Sequence, residues 1–577
     1  MPSCLVYALV QSVTFMVDTI IAGRFLGTDA VASIALGMPI IGLMLSFTGM
    51  LLQGGFLKLL NAMGRNNMND YHRIFSLALV ATMIVDLIFI AICIFGTSGV
   101  MAIAGAGKAS ATAVAFGDLY IKSACFMILF FSLGTLFQLV IATYGYQTDR
   151  MIGSVVCVVV NVITSVIFIN ILSEPYKIAG LGIGSAIGTL SQVIVSYVMM
   201  KKRHIKLKFV FPVPNKKNII DIFDMLRRGL PSSIDNMLDS VSGSIVNRII
   251  LASFADGTGV LAIVTIVKTL YSIVKTVGRG TFYASEPLIG ILKGGRDNEG
   301  IKRAFKIALK YGLIYAVGMA AIIILIKNPF LNFYNMADNA DAGIGVILIA
   351  ISTVLLVVSF ALNAVYESTG HLMLSLLVSV VPDSVLYPML IPVAASTVGI
   401  TGIWVAMGFN FIPFFIIFYI VFMIITKKLV VPLDRLLVLD KNEDREMHTD
   451  VSIPSTAENV SFVSQQLQKF LTEKGVNERV AYKTALCTEE IAADYIEHRK
   501  TSSKSDRETY MDIKVFRDKD CLEIIIRNYD EPYNPLVFEK DVESFSKIGI
   551  SMVQNVSESI TYVYAYHLNI VTMIIKG

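Results

Sequence analysis

The first feature with chemical meaning is an acidic side chain in the middle of a long apolar run. Asp18 lies within residues 3–24, where most neighbours are hydrophobic. An ionised carboxylate is costly in such surroundings, so an acid placed there is a candidate functional group. Binding a proton or another cation would remove its charge. The sequence therefore predicts that Asp18 binds a proton or another cation.

Further charged residues lie in or near apolar segments of the second half of the chain. The acids are Asp235, Asp239, Glu286, Glu367 and Asp383, and the bases are Lys268, Lys275 and Arg279. Asp235 and Asp239 are four residues apart and would share one face of a helix. Two interpretations stay open. The acids bind sodium or a cationic substrate, with Asp235, Asp239, Glu286 and Glu367 as site residues, or they pair with the three bases, whose side chains can also extend towards water.

Long hydrophobic helices must position these residues. Of the 577 residues, 55% are hydrophobic and only 16% are charged, and the mean hydropathy is +0.68, which excludes an ordinary soluble protein. Twelve apolar segments are long enough for about 20 residues of helix across a bilayer. They are 3–24, 31–57, 74–97, 115–143, 151–172, 180–200, 230–254, 258–291, 304–326, 343–365, 373–394 and 401–426. The sequence thus predicts an all-α membrane protein with twelve transmembrane helices.

Basic residues are concentrated in the connections on one side of these segments. The longest basic connection covers residues 201–228. The positive-inside rule places these connections and both termini in the cytoplasm. We therefore expect a multi-pass protein of the cell membrane, in contact with the lipid bilayer and with no nucleic-acid partner.

The apolar part contains an internal repeat. The aligned stretches are 17–31 with 246–260, Gly64–Asn67 with Gly295–Asn298, Gln147–Met151 with Thr369–Met373, and Gly182–Ala186 with Gly402–Ala406. Two parallel six-helix halves are predicted at 1–200 and 229–428, joined by the linker 201–228. Parallel repeats of this kind hold substrates at their interface near the bilayer midplane. Asn247 takes the position of Asp18, so only one half carries that carboxylate.

A set of short motifs follows in order along residues 1–428. They are Val17-Asp18-Thr19, Gly23, Leu26-Gly27, Ala30, Ala32, Pro39, Gly64, Gly145, Asn161 and Gly402-Ile403-Trp404. With these residues the chain resembles the multidrug and toxic compound extrusion (MATE) transporters. The resemblance implies export of small amphipathic, mainly cationic compounds in exchange for H⁺ or Na⁺, with Asp18 as the coupling acid and Asn161 beside it. Many members carry an aspartate where this chain has Ser165, so the coupling ion stays open.

A polar connector, 429–447, leads into a different kind of sequence at 448–577. This tail is more acidic than basic, whereas the remainder is basic. Alternating apolar residues predict strands near 449–453, 508–517, 521–528, 560–566 and 569–576, and helices near 456–474, 478–499 and 541–556. The order predicts a cytoplasmic α/β sandwich with its helices on one face of the sheet.

Several tail motifs point to a nucleotide-binding relative. Glu490 and Asp494 share a predicted helix, Asn528 precedes a Pro-Tyr-Asn-Pro run, and Gly549 lies in the last helix. These motifs resemble the ATP-binding domain of histidine kinases and, more closely, of anti-sigma-factor kinases. The resemblance implies that Glu490, Asp494, Asn528 and Gly549 would contact ATP and magnesium.

The tail departs from that family at positions that matter for binding. Asp494 stands in place of an asparagine, and Asn528 stands in place of the aspartate that reads adenine. Asp530 replaces the glycine that follows this aspartate, and Lys547 lies in the segment that corresponds to the family's glycine-rich phosphate lid. Glycines belong there because backbone N–H groups must approach phosphate closely. Two interpretations stay open: a non-catalytic domain that binds a cytoplasmic protein, or a domain that still binds ATP.

Two further function classes remain for the whole chain. Lys268, Lys275 and Arg279 would suit a flippase of lipid-linked oligosaccharides, because such a substrate carries a pyrophosphate. A membrane-bound signalling protein whose tail binds a partner is the other class. The six cysteines and six histidines form no CxxC or HExxH pattern, so neither a metal site nor a disulfide framework is expected. We expect no enzymatic activity from the membrane part.

Overall fold

The computed structural model describes residues 2–26, 28–99, 111–254, 257–333, 336, 339–439, 448–502, 509–518, 521–537 and 545–576, and some residues within helices by their backbone alone. The chain divides into a helical unit of residues 1–61 and 69–439 and a second unit of residues 62–68 and 440–577.

Helices build the first half of the helical unit, in agreement with its six predicted segments. They are α1 (Pro2–Phe25), α2 (Thr28–Gly64), α3 (Met68–Phe95), α4 (Ala111–Ala124), α5 (Phe126–Thr143), α6 (Gln147–Ile171) and α7 (Ala179–Lys202). α4 and α5 follow each other directly and form one candidate membrane span, Val114–Thr143. α7 follows a short 3-10 turn, Tyr176–Ile178.

The second half is also helical over its predicted segments. Its helices are α8 (Lys216–Ser253), α9 (Gly257–Gly294), α10 (Asn298–Phe333), α11 (Ala340–Thr369), α12 (Leu372–Val380), α13 (Tyr387–Val398), α14 (Ile400–Phe409), α15 (Phe411–Thr426) and α16 (Leu433–Leu436). A π-helical turn, Val381–Leu386, joins α12 to α13. Asn410 Nδ2 donates to the carbonyl oxygen of Pro382 in this turn at 3.0 Å, which satisfies a backbone group at the bend.

Within the described residues, nine spans are long and apolar enough to cross a membrane, and Pro2–Thr14 of α1 is a shorter apolar stretch. α8 and α9 are outside this set, and they carry most of the charged residues singled out in the second half. The molecule is a multi-pass membrane protein, and the count of twelve transmembrane helices stays a prediction.

The two halves share the geometry of their turns, which supports the internal repeat. Asn66 after α2 and Arg296 after α9 are both left-handed, with φ of 55° and 52°. Gly145 after α5 and Gly370 after α11 both have φ of 87°. Glycine adopts this conformation at a helix end without a Cβ clash.

The shared turns correct the sequence alignment of the repeat in two places. Alignment of the left-handed residues Asn66 and Arg296 pairs Gly64 with Gly294, whereas the sequence alignment pairs Gly64 with Gly295. Alignment of Gly145 with Gly370 pairs Gln147 with Leu372, whereas the sequence alignment pairs Gln147 with Thr369. The predicted registers were wrong there because the halves share backbone geometry at these turns, whereas the alignment matched side-chain identity.

A stripe of glycines on α7 sets the distance between α6 and α7. Gly180, Gly184 and Gly188 recur at every fourth position, a spacing that lets membrane helices approach closely. A Cβ on Gly184 would lie 2.1 Å from Ser165 Oγ, and one on Gly188 would lie 2.7 Å from Asn161 Cβ. The stripe therefore holds the polar residues of α6 against α7.

Small residues also bring the two halves together, between α2 and α8. A Cβ on Gly54 would lie 1.8 Å from the carbonyl oxygen of Met225. One on Gly229 would lie 2.0 Å from the carbonyl oxygen of Met50. The two helices are therefore in backbone contact at the end of the unit that carries the basic connections.

Ion pairs join the halves at the same end. Lys58 Nζ lies 2.7 Å from Asp221 and 2.9 Å from Asp224, and Arg73 lies 2.6 Å from Asp221. Burial opposes the charge of Asp221, but hydrogen bonds from Lys58 and Arg73 outweigh it and lower the pKa of Asp221. The ion pairs therefore remain formed at neutral pH.

The second unit is a five-stranded antiparallel sheet with helices packed on it. Its elements are β1 (His448–Pro454), α17 (Ala457–Glu473), α18 (Glu478–Ser502), β2 (Tyr510–Asp518), β3 (Cys521–Tyr529), α19 (Phe545–Val556), β4 (Ser559–Ala565) and β5 (Leu568–Lys576). The strand order is β1-β2-β3-β5-β4. Alternate residues such as Ile524 and Ile526 pack against Leu467 and Ile491 of the helices. The elements lie within a few residues of those predicted from the sequence.

Candidate functional site

Asp18 is buried in α1, with 2% of its surface exposed. Tyr120 Oη donates to Asp18 Oδ2 at 2.9 Å, and Ser185 Oγ lies 2.9 and 2.8 Å from the two carboxylate oxygens. In the described part of the chain, Asp18 forms no ion pair with a basic side chain. The acid therefore has neutral donors around it, and a proton or cation can bind without displacing a base.

Asn161 lies beside this acid and also contacts its partner Ser185. Asn161 Nδ2 donates to Ser185 Oγ at 3.1 Å, and Ser165 Oγ donates to Asn161 Oδ1 at 2.9 Å. The structure thus brings Asp18, Asn161 and Ser165 into one polar chain across α1, α6 and α7. Ser165 is a hydroxyl donor rather than an acid, so among the described residues this chain of contacts holds a single carboxylate.

Sequence reasoning missed a second buried acid in the same half. Asp86 in α3 is fully buried, and among the described residues neither of its carboxylate oxygens has a hydrogen-bond partner. The hydroxyl oxygens of Thr82, one turn earlier, and Ser132 in α5 are also buried and unpaired there. The sequence contained a signal for Asp86, because this acid lies in α3, which is among the most apolar spans with a mean hydropathy of 2.8.

Glu286 and Glu367 meet at a glutamine from the other half. Gln53 Nε2 donates to Oε1 of Glu286 and, at 3.2 Å, to Oε1 of Glu367. Ser232 Oγ also donates to Glu367 Oε1. Both carboxyl groups are buried, at 2% and 0% exposure. The structure therefore brings together two predicted site residues and adds Gln53, which gave no signal in the sequence because it is uncharged.

A buried arginine lies in the same interface. The Arg150 guanidinium lies 4.0 Å from the ring centre of Tyr7 and 5.1 Å from that of Tyr283, and its Nη2 donates to Tyr7 Oη at 3.0 Å. It also interacts electrostatically with Glu286. Arg150 therefore stacks between aromatic rings from both halves, an arrangement that favours a guanidinium.

A small cavity of about 60 Å³ lies in the second half. Its walls include Lys268, Lys275, Arg279 and Asp383. Lys275 Nζ lies 2.7 Å from Asp383 Oδ2, so the ion-pair interpretation is confirmed for these two residues. Within the described part of the chain, no acid pairs with Lys268 or Arg279. The cavity wall is therefore more basic than acidic.

Two predicted acids cannot be assigned to this cavity. Asp235 and Asp239 lie on α8, whose backbone is helical throughout Lys216–Ser253. Their side chains lie outside the described residues. Their predicted binding role stays a prediction.

In the tail, the predicted nucleotide-site residues contact one another or other side chains. A Cβ on Gly549 would lie 1.8 Å from Glu490 Oε2, so the carboxylate lies directly over the glycine. Burial and the neighbouring Glu489 raise the pKa of Glu490. Tyr533 Oη donates to Asp494 Oδ2 at 2.8 Å.

The loop after β3 is held over Asp494. The Tyr533 ring stacks on His498 with centroids 3.6 Å apart, and Asn569 Oδ1 accepts from the backbone N–H of Tyr533 at 2.9 Å. Asn528 is buried beside these residues, at 7% exposure, and Arg499 lies 3.5 Å from Asp530. The side chain of Lys547 lies outside the described residues. Mg-ATP would have to displace these contacts to reach Asp494.

Comparison with known proteins shows what the membrane unit is similar to. A family model described as MatE matches residues 2–167 and 231–393, one stretch in each predicted half. The Probable multidrug resistance protein YoeA of Bacillus subtilis (strain 168) is 23% identical over 326 residues, which are 55% of this chain and 68% of that protein.

Solved structures share the fold of this unit. A MATE in complex with MaD3S superposes with a TM-score of 0.65 at 17% identity, over 74% of this chain and 94% of the other. An outward-facing multidrug resistance MATE family transporter of the MOP superfamily gives a TM-score of 0.61 at 16% identity, over 72% and 91%. The family match covers more than half of the residues and both halves of the repeat, and the chain belongs to the MATE family, whose members are transporters rather than enzymes.

Proposed function

We propose that the protein exports small amphipathic organic cations in exchange for H⁺ or Na⁺, with Asp18 as the coupling carboxylate. The observation that carries the proposal is the burial of Asp18 among neutral hydroxyl donors. An ion that binds there cancels a charge that apolar surroundings disfavour, so its gradient can bias the transport cycle. The name of the relative YoeA, a probable multidrug resistance protein, supports the substrate class.

The acids between the halves suit a second role, the control of closure. Gln53 brings the buried carboxyl groups of Glu286 and Glu367 together, with Arg150 near Glu286, and such a pair of acids favours a shared proton or a bound cation. Gln53 reaches both acids from the first half. A cationic substrate that binds the carboxyl groups would compete with Gln53 and so weaken the contact between the halves.

The side of the membrane follows from the charge pattern. The contacts between α2 and α8 lie next to the basic connections, which the positive-inside rule assigns to the cytoplasm. We therefore infer that both termini are cytoplasmic and that the described state is closed on the cytoplasmic side.

Efflux in inverted membrane vesicles tests the exporter proposal. A fluorescent organic cation is added outside vesicles that contain the full-length protein, because their outer surface is the cytoplasmic one. A proton gradient and a sodium gradient, each with the higher concentration inside, are imposed in separate experiments, and uptake of the dye is measured. We expect dye transport with one of the two gradients. Transport that follows neither gradient, in protein that is correctly inserted, would exclude cation-coupled antiport.

The basic cavity supports a second candidate, a flippase of lipid-linked oligosaccharides. Lys268 and Arg279 line a cavity in which only Lys275 pairs with a described acid, so an anionic pyrophosphate would find two further cations. Translocation of a fluorescent polyprenyl-pyrophosphate sugar distinguishes the two functions. A Lys268→Gln/Arg279→Gln variant should lose that activity, whereas export of an organic cation should persist or increase.

We propose further that the tail binds a cytoplasmic protein and does not hydrolyse ATP. Tyr533 already uses Asp494 as a hydrogen-bond acceptor, and the Glu490 carboxylate lies against Gly549. The purified full-length protein should therefore release no more phosphate from Mg-ATP than an Asp494→Asn variant. Magnesium-dependent hydrolysis that disappears in Glu490→Ala would contradict the proposal.

A further inference from the structure

A large groove lies on the outer side of the last helices of the membrane unit. Its volume is about 790 Å³, and its walls come from α12, the π-helical turn, α15 and the segment that contains α16. Cavities of roughly 300–1,000 Å³ are large enough to hold a drug-sized ligand or a lipid chain. The groove is separate from the Asp18 site and from the Glu286–Glu367 pair.

The floor of the groove is apolar. Phe414, Phe418 and Phe422 recur at every fourth position of α15, with ring centroids 5.5 and 5.0 Å apart, and line it together with Ile417. Ile417 is 59% exposed. Such a surface within a transmembrane helix faces the hydrocarbon of the bilayer, so an acyl chain can enter from the side.

The mouth of the groove is basic. Lys428 and Arg435 line it and are exposed, and in the described part of the chain neither forms an ion pair. Among the described residues that line the groove, the acid is Asp434, which is paired with Lys302 at 3.2 Å. Two cations are therefore available at the end of an apolar groove, at the level where a membrane helix ends.

The mouth is held in place by contacts to the helix ends. Tyr366 Oη donates to the carbonyl oxygen of Leu436 at 2.7 Å. A ring nitrogen of His371 lies 2.7 Å from the carbonyl oxygen of Val438. These two bonds fix the segment around α16 against the end of α11. The distance between the basic mouth and the apolar floor is thereby set by the fold.

We propose that this groove binds one anionic phospholipid, with an acyl chain along the phenylalanines of α15 and the phosphate group at Lys428 and Arg435. Basic pockets between membrane helices on the cytoplasmic side suit anionic headgroups. A zwitterionic lipid carries its own cation next to the phosphate and gains less from the two basic residues. The site lies directly before the connector to the tail, and it does not depend on the proposed export function.

Native mass spectrometry of the purified full-length protein tests the site with two lipid probes, phosphatidylglycerol and phosphatidylcholine of the same chain length. The wild type should retain phosphatidylglycerol preferentially. A cation at an anionic lipid contributes about fivefold in affinity, so Lys428→Gln/Arg435→Gln should reduce this preference about 25-fold. The matched control is Lys202→Gln/Lys206→Gln, which removes two exposed lysines on the same predicted side of the membrane.

A second pair of variants tests the acyl-chain part of the site. Ile417→Trp should fill the groove and reduce retention of both lipids. Ile416→Trp, at a neighbouring exposed position that does not line the groove, should leave retention unchanged. Equal retention of the two lipids by the wild type, or equal behaviour of the groove variants and their controls, would overturn the proposal.

Discussion

The two buried acidic sites of the membrane unit differ in what they connect. Asp18 is bound by hydroxyl groups of α4 and α7, so its partners belong to its own half. Glu286 and Glu367 belong to the second half but are bound by Gln53 of the first. The first site can be occupied or emptied while its half remains intact. The second site changes whenever the halves separate.

Under the proposed exchange of a cation for substrate, this difference predicts a separate role for each site. An ion that binds within one rigid half contributes binding free energy, whereas a group shared between halves converts their relative movement into a change of affinity. We therefore expect variants at Asp18 to affect coupling, and variants around Gln53 to affect the population of the closed state.

The largest effect is expected for Asp18→Asn. The amide fits the same space but does not exchange a charge, so gradient-driven efflux should fall at least tenfold, which corresponds to about 1.4 kcal/mol. Efflux is measured in vesicles with equal amounts of protein. Asp118→Asn, which changes an exposed acid paired with Lys122, is the control and should retain activity. Wild-type efflux by Asp18→Asn would remove Asp18 from the coupling role.

A smaller effect, on conformation, is expected for Gln53→Leu. The variant loses the amide that bridges Glu286 and Glu367, and a net cost of about 1 kcal/mol would shift the closed state towards the open one about fivefold. Distances between spin labels at Lys202 and Lys306 report the shift. Gln138→Leu is the control, because that amide donates to Ser154 and the Arg150 carbonyl within one half. An unchanged distance distribution in Gln53→Leu would contradict the prediction that Gln53 stabilises the closed state.

Asp86 provides a contrast to Asp18, because its buried carboxylate has no hydrogen-bond partner among the described residues. Replacing it by leucine removes a carboxyl group that costs free energy in an apolar helix, so Asp86→Leu should change the free energy of unfolding by less than about 1 kcal/mol. Asp18→Leu removes the hydrogen-bond acceptor of Tyr120 and Ser185 and should lower stability by about 2 kcal/mol. Thermal unfolding of both purified variants measures the difference, and equal losses would show that Asp86 has stabilising contacts.

Removal of the tail should leave both acidic sites unchanged. A chain truncated after residue 445 retains every contact of Asp18, Glu286 and Glu367 described above. We expect an efflux rate within about threefold of the full-length rate and the same order of substrates, because coupling free energies between regulatory and transport sites are typically modest. Vesicle assays with a panel of cationic dyes test this. Complete loss of export in inserted protein would make the tail part of the transport machinery.

The smallest effect concerns the tail acid that packs on Gly549. Burial and Glu489 raise the pKa of Glu490, so ionisation costs the folded domain free energy as pH rises above the ordinary glutamate value of about 4.3. Glu490→Gln should therefore slightly stabilise the tail at neutral pH and have no effect near pH 3.5. Hydrogen exchange of the β3 and β5 amides in the full-length protein measures this, and protection that is independent of pH would contradict it.

The sequence was sufficient where local patterns determine the structure. Apolar runs located the membrane helices, alternation located the tail strands, and Asp18 stood out as an acid in an apolar segment. Contacts between distant residues were not predictable, because Gln53 is uncharged and Arg150 resembles any base in a loop. Asp86 carried the same signal as Asp18 and was overlooked. The repeat was recognised, but its register at the turns depended on backbone angles that residue identities do not reveal.

The turn after α11 also has a mechanical consequence. The backbone N–H of Gly370 donates to the carbonyl oxygen of Glu367 at 3.2 Å, so the acid that meets Gln53 lies at the pivot of the hairpin formed by α11 and α12. A group at a pivot moves little when the arms swing, but its direction changes with their angle. We therefore expect Glu367 to contact the opposite half in one orientation of the hairpin and to lose that contact in another.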